Sequence, residues 1–220
     1  MELIEGIETR RSVRAFKATP VPRNILEKIL KVAQSSPSAI NSQPWEVAVV
    51  TGKKKEELSR ILCSLAESNV ASSPDLQPNR SWPEELEKRI HEHREARFES
   101  SRIDLEDEKQ KKQFRLLNYQ FYGAPCAIYL LMDRELLISA VFDLGLFAQS
   151  LILAAHSYGL GSCLQLSLSS YADNIHEFLQ IPKTKRLVIG ISIGYPDMKA
   201  SINSFKSTRI KLEDFVHWYS

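Results

Sequence analysis

The sequence predicts an α+β fold, with a central mixed or antiparallel sheet flanked by helices in a single domain spanning residues 1–220. Three nearly unbroken apolar runs, Trp45 to Val50, Cys126 to Met132 and Arg186 to Gly194, read as strands covered on both faces. Longer stretches with apolar residues at helical spacing separate them. No repeat, linker or shift in composition divides the chain, so the strands and helices are expected to share one core.

Bulk composition narrows the classes of function. Hydrophobic residues make up 43% of the chain and charged residues 25%, the averages of a globular protein. Lys+Arg 29 against Asp+Glu 27 gives a net charge of +2, too balanced for a nucleic-acid binder that relies on a broad basic face. No apolar run approaches the ~18 to 20 residues of a spanning helix, and the start at Met1 lacks the pattern of a signal peptide, which together imply a cytoplasmic protein with no membrane partner. Cys63, Cys126 and Cys163 are odd in number and widely spaced, and neither His91 and His93 nor any HExxH forms a ligand set. No metal site is expected.

In chain order, Leu3 to Arg10 reads as a short helix. Pro22 suits the first turn of a second, in which Ile25, Leu26, Ile29, Leu30 and Ala33 recur at helical spacing. Ser35 to Pro44 is a loop by composition, ahead of the first strand, which Thr51-Gly52 closes. Lys53 to Ala66 is an amphipathic helix. Ser72 to Pro83 carries three prolines and reads as an excursion or lid. From Trp82 to Tyr119 charge dominates, with Glu and Lys/Arg often three or four apart, so two exposed helices broken near Ser100-Ser101 are expected to present a solvated face. Ala124-Pro125 introduces the second strand, and Leu144 to Tyr158, almost wholly apolar or small, is the central core helix, capped by Gly159 and with Asp143 near its positive end. Gly161 to Leu168 is a short strand or extended loop, Tyr171 to Leu179 a short helix, and Ile210 to Tyr219 a terminal segment that should pack on something.

Three segments invite a chemical reading. Arg10-Arg11-Ser12-Val13-Arg14 sets three guanidinium groups and a hydroxyl within five residues, a pattern that suits phosphate or is simply solvated charge. Pro37-Ser38-Ala39-Ile40-Asn41-Ser42-Gln43-Pro44-Trp45 offers amides that read the mixed donor and acceptor edge of a heterocycle, or merely shape a turn. Gly159-Leu160-Gly161-Ser162-Cys163-Leu164 lacks the third glycine of a dinucleotide fingerprint and follows a helix, so it reads as a cap and tight turn through which backbone approaches a ligand closely.

In this order the segments resemble the nitroreductase family over nearly the whole chain. Arg10 to Phe16 looks like the family's opening phosphate-binding segment, Pro37 to Trp45 like its Pro-Ser-x-x-Asn-x-Gln-Pro-Trp loop, and Gly159 to Cys163 like its flavin-facing turn. Ile193 to Asp197 and Lys206 to Asp214 resemble its closing strand and last basic phosphate contact. The likeness implies bound FMN, NADH or NADPH as electron donor, a small aromatic acceptor such as a nitroaromatic or quinone, and a homodimer with the site at the subunit interface and the C-terminal segment reaching the partner.

It also implies roles. Arg10, Ser12, Arg209 and Lys206 would hold the phosphate and ribityl end, with Arg11 beside them, and Arg14 would place positive charge at the pyrimidine side of the ring. Pro37, Ser38, Ala39, Asn41 and Gln43 would come from the opposite subunit. Leu164, Gln165, Leu166 and Ser167 would face flavin N5 through their backbone, with Asn118 a further ring contact. No residue is expected to act as acid, base or nucleophile, since the flavin carries the chemistry. Leu164, Leu166 and Ser167 stand where some members have Pro, Glu and Gly. The charged insertion at about 72–118 resembles that of the longer, nitrobenzoate reductase-type subgroup. The same resemblance leaves room for a relative specialised in dehalogenation, flavin breakdown or amide-type oxidation, or for a non-catalytic flavin-binding regulator.

Overall fold

The structure is a computed structural model that describes residues 2–79, 81–104 and 106–220. Met1, Arg80 and Leu105 lie outside the described residues. Four strands, β1 (Glu46–Thr51), β2 (Cys126–Asp133), β3 (Gly161–Gln165) and β4 (Lys185–Gly194), form one sheet in the order β1-β2-β4-β3. Every named pair is antiparallel, with Val47 opposite Leu130, Tyr129 opposite Gly190 and Cys163 opposite Ser192. The only parallel pairings among the described residues are the isolated bridges Ser12 with Ser162 and Ser73 with Tyr171. The mixed character allowed by the sequence therefore resides in bridges rather than in a strand.

Seven α-helices pack around the sheet: α1 (Leu3–Thr9), α2 (Arg23–Ala33), α3 (Gly52–Glu67), α4 (Glu84–Ser100), α5 (Glu108–Tyr119), α6 (Ala140–Ser157) and α7 (Ala172–Leu179). The two-residue period of a strand explains why β2 is apolar throughout. Its Cys126, Ile128, Leu130 and Met132 enter a core with Leu26 and Ile29 of α2 and Leu144, Phe147, Leu151 and Ile152 of α6. The alternate residues Ala127, Tyr129 and Leu131 enter a second core with Leu58 and Leu62 of α3 and Leu116 and Tyr119 of α5. Each fully buried Leu or Ile contributes about 1.5–3 kcal/mol.

α6 begins four residues before the expected Leu144, at Ala140, which brings it to 18 residues. By length and composition it could cross a bilayer, contrary to the sequence expectation. Its apolarity has a local explanation: Leu144, Phe147, Ala148, Leu151, Ile152 and Ala155 are buried against the sheet. The other side stays open, with Phe142 72% exposed, preceded by Leu137 and Ile138, which are also exposed. The terminal segment likewise finds no cover on its own chain. Beyond a short 3-10 turn at Leu212–Asp214, Phe215, Trp218 and Tyr219 remain exposed.

The excursion after α3 is pinned rather than free. Asp75, whose side chain is 7% exposed, accepts the Leu187 backbone N–H at 2.7 Å and meets His176 Nε2 at 2.8 Å and the Arg134 guanidinium. Burial opposes the carboxylate charge, but the Leu187 amide, His176 and Arg134 outweigh it and hold its pKa below the ordinary value. A folded-state pKa depressed in this way stabilises the fold above the unfolded value and loses that contribution as pH falls. The stability gap between wild type and Asp75→Asn should therefore be constant above about pH 5 and shrink below about pH 4. Thermal melts across that range test it; a gap that stays constant down to pH 2 would contradict it.

Candidate functional site

The arginine-rich segment is laid against the edge of the sheet. Val13 N donates to Ser162 O at 2.9 Å, Lys17 N to Tyr195 O at 2.8 Å, and Asp197 N to Ala15 O at 3.0 Å. Asn203, 2% exposed, fixes the same stretch from the other side, its Oδ1 accepting Arg14 N at 2.7 Å and its Nδ2 donating to Ala15 O at 2.8 Å. Gly161 makes this approach possible, because a Cβ there would lie 2.6 Å from Val13 Cγ2 and 2.8 Å from Val13 Cβ. A β-branched neighbour cannot swing aside. Gly161→Ala should thus cost about 1–3 kcal/mol and displace Ser12 to Arg14, readable as a lowered melting temperature; an unchanged melt would show that the segment tolerates the shift.

The result of this placement is a concentration of positive charge. Arg10 has its charge disfavoured first by burial and then by Arg209. Arg97, from α4, is affected first by burial and then by Arg14. His93, one turn earlier on α4, has its pKa lowered by burial, then by Arg97, Arg14 and Arg209. Among the described residues no carboxylate forms an ion pair with Arg10, Arg14, Arg97 or Arg209. The buried Nε atoms of Arg10 and Arg97 also lack a hydrogen-bond partner. Guanidinium keeps its charge under these conditions, so the cluster is a receptor for anions.

Next to the cations lies a polar network built on α5. Asn118 Oδ1 accepts the Tyr122 hydroxyl at 2.8 Å and the Ser167 hydroxyl at 3.2 Å, and Gln165 Nε2 donates to Asn118 O at 3.1 Å. Gln165 Oε1 accepts from Ser192, so that side chain is occupied within the protein. Burial pushes the Tyr122 hydroxyl up to about 12, with Arg14 and Arg97 acting in the opposite direction. The neighbouring Cys163 thiol is likewise raised by burial and stays protonated. Where β3 turns into a 3-10 turn at Leu166–Ser169, the side chains of Leu164 and Leu166 are exposed and form an apolar ledge.

The sequence-predicted site residues fall into two groups. Arg10, Ser12, Arg14, Asn118, Leu164, Gln165, Leu166 and Ser167 surround the features just described. Arg11 turns toward Met198, its Nη2 3.9 Å from the sulfur. Arg209 is folded back on Ser207 and Thr208, and Lys206 and Arg209 line an exposed groove with Arg89 and His93 of α4. The Pro37 to Gln43 loop lies elsewhere: Ala39 N donates to Asp143 at 3.3 Å at the start of α6, whereas Thr9 meets His156 at its end, 3.0 Å away. Thirteen residues of helix separate these contacts by about 20 Å. Asp143 thus serves as a buried acceptor for the loop as well as lying at the helix's positive end.

That loop is strained and uncovered. Ile40, Asn41 and Gln43 have φ of 49°, 58° and 48°, and Ile40 is fully exposed. A left-handed β-branched residue costs of order 1–3 kcal/mol.

The sequence pattern of the Nitroreductase family matches residues 7–195, most of the chain. This chain belongs to the nitroreductase family. It is 33% identical over 216 residues to the 4-nitrobenzoate reductase of Pseudomonas putida, covering 96% of this chain and 93% of that protein. It is 31% identical to the chloronitrobenzene nitroreductase of Comamonas testosteroni, again over 96% and 93% of the two chains. The crystal structure of the FMN-dependent nitroreductase NfnB of Mycobacterium smegmatis in complex with NADPH superposes with a TM-score of 0.94 at 28% identity, covering 99% of this chain and 97% of that one.

Within this nitroreductase the sequence pattern misses Arg97, His93, Tyr122 and Asn203. Arg97 was counted in a solvated charge run, yet the adjacent Phe98 packs on Phe114, with ring centroids 4.9 Å apart, and turns this part of α4 inward. The apolar Phe98 and Phe114 were the available signal. Asn203 carries none, because its role depends on backbone that arrives from residues 14 and 15.

Proposed function

We propose that this nitroreductase is a homodimeric FMN-dependent enzyme that uses NADH or NADPH to reduce nitroaromatic or quinone-like acceptors. The observation that carries the reading is the cluster of guanidinium groups without a carboxylate partner, two of them with orphaned buried Nε atoms, beside an apolar ledge. FMN fits that donor set as a phosphate at one end and a planar ring at the other, and when bound it supplies the hydride chemistry.

The chain's own residues bind and orient. Arg10, Ser12 and Arg209, with Lys206 and Arg11 at the margin, hold the phosphate and ribityl end. Arg14, held by Asn203, places fixed positive charge at the pyrimidine side. Backbone from Leu164 to Ser167 lines the reactive edge of the ring, and Asn118 keeps Tyr122 and Ser167 in place. Pro37, Ser38, Ala39, Asn41 and Gln43 complete the site of the partner subunit, since within one chain α6 keeps them about 20 Å from Thr9. The names of the relatives support nitroaromatic acceptors.

An absorbance spectrum of the purified protein, followed by anaerobic titration with NADH and NADPH, tests the proposal. A flavin spectrum that bleaches with the dinucleotide and returns with a nitroaromatic is expected. Bound flavin that neither dinucleotide bleaches would overturn the catalytic reading.

A further inference from the structure

Arg97 is the one member of the cation cluster to which the FMN reading gives no work. α4 carries it in and packs on the turn at Ser201–Asn203, whose Asn203 holds the backbone of Arg14. Its guanidinium carbon lies 5.3 Å from the Phe114 ring centroid and 5.7 Å from that of Phe98, so aromatic faces fix its position. Its Nε is buried without a partner. A buried charge kept in this condition is costly unless an anion arrives.

Charge accounting indicates which anion. Arg10, Arg14, Arg97 and Arg209 carry four positive charges and meet no carboxylate in an ion pair among the described residues. A phosphate monoester offsets about 1.5 to 2 of them, and the charge assigned to Arg14 offsets about one more. About one positive charge is left, which suits a monoanion rather than a second phosphate. The space beside it is apolar on one side, where Leu164 and Leu166 are exposed, and hydroxyl-bearing on the other, at Tyr122. An aromatic ring with one carboxylate matches both.

We infer that Arg97 is a specificity-determining residue that anchors the carboxylate of an aromatic acid acceptor over the apolar ledge, an inference that rests on the FMN reading above. Neutral nitroaromatics would still enter, without that anchor.

The test uses the FMN-loaded protein and two ligands that cannot be reduced, benzoate and its uncharged counterpart benzamide, each titrated by perturbation of the flavin absorbance. Wild type should bind benzoate at least about tenfold more tightly than benzamide. Arg97→Gln should weaken benzoate by about tenfold or more and leave benzamide within about twofold, while Arg97→Lys should recover part of the benzoate affinity. Equal binding of the two ligands by wild type, or benzoate affinity unmoved in both variants, overturns the inference. An altered FMN midpoint potential in Arg97→Gln with unmoved benzoate affinity would assign Arg97 to the cofactor and overturn it as well. These failures occur with FMN bound; failure of wild type to bind FMN overturns the flavin reading itself, and this inference with it.

Discussion

Arg10→Ala is expected to weaken FMN binding by about 1.5–3 kcal/mol, roughly 10- to 150-fold, the scale of a lost charge-assisted hydrogen bond. Three features put Arg10 above the other cations. It is partly buried, its Nε is orphaned, and Arg209 already disfavours its charge. The first two mean that its desolvation has been met by the fold, so an anion gains the full interaction. The third means that removing Arg10 relieves some repulsion, and the apo protein should not lose stability. Arg209, exposed and folded back on Ser207, should show a smaller loss. Flavin fluorescence titration of both variants measures this; an Arg10→Ala protein with wild-type FMN affinity would remove Arg10 from the phosphate site.

Phe142→Asp should turn a dimer into a monomer that does not retain FMN. Phe142 stands 72% exposed near the start of α6, beside the exposed Leu137 and Ile138 and close to the loop where Ile40 is fully exposed. Burying one such aromatic contributes at least about 2 kcal/mol, and a two-fold interface uses each position twice. Its loss therefore amounts to about 4 kcal/mol, roughly a thousandfold in the dimerisation constant, before the cost of desolvating the new carboxylate. Because about 20 Å of α6 separates the Pro37 to Gln43 loop from Thr9, a monomer has half of the site. Sedimentation velocity with absorbance at flavin wavelengths reads both effects together. A Phe142→Asp monomer that keeps FMN would sink the shared site, and an unchanged dimer would move the interface elsewhere.

The elements were legible where a single period dominates. The two faces of β2 and the helical spacing of α2 need only the local pattern, so their positions agree with the sequence to within a residue or two. α6 was less well bounded, since an all-apolar helix has no polar face to mark where it starts. The insertion misled for the opposite reason. Charge of both signs recurs along α4 and α5, and nothing local distinguishes Arg97, aimed at other cations, from Arg89, paired with Glu85 on the surface.

What the sequence determined by itself is the identity and order of the parts: strand-forming runs, a central helix, an arginine-rich start, an amide-rich loop and a glycine turn. These are local properties of composition and spacing, and they sufficed to indicate the family. The tertiary structure alone decided which parts meet. Gly161 admits Val13 only because β3 passes there, Arg97 becomes unpaired only because α4 folds onto the Asn203 turn, and the two halves of the expected site separate only because α6 stands between them. Charge balance and distance are properties of the folded assembly, and neither is written in any one segment.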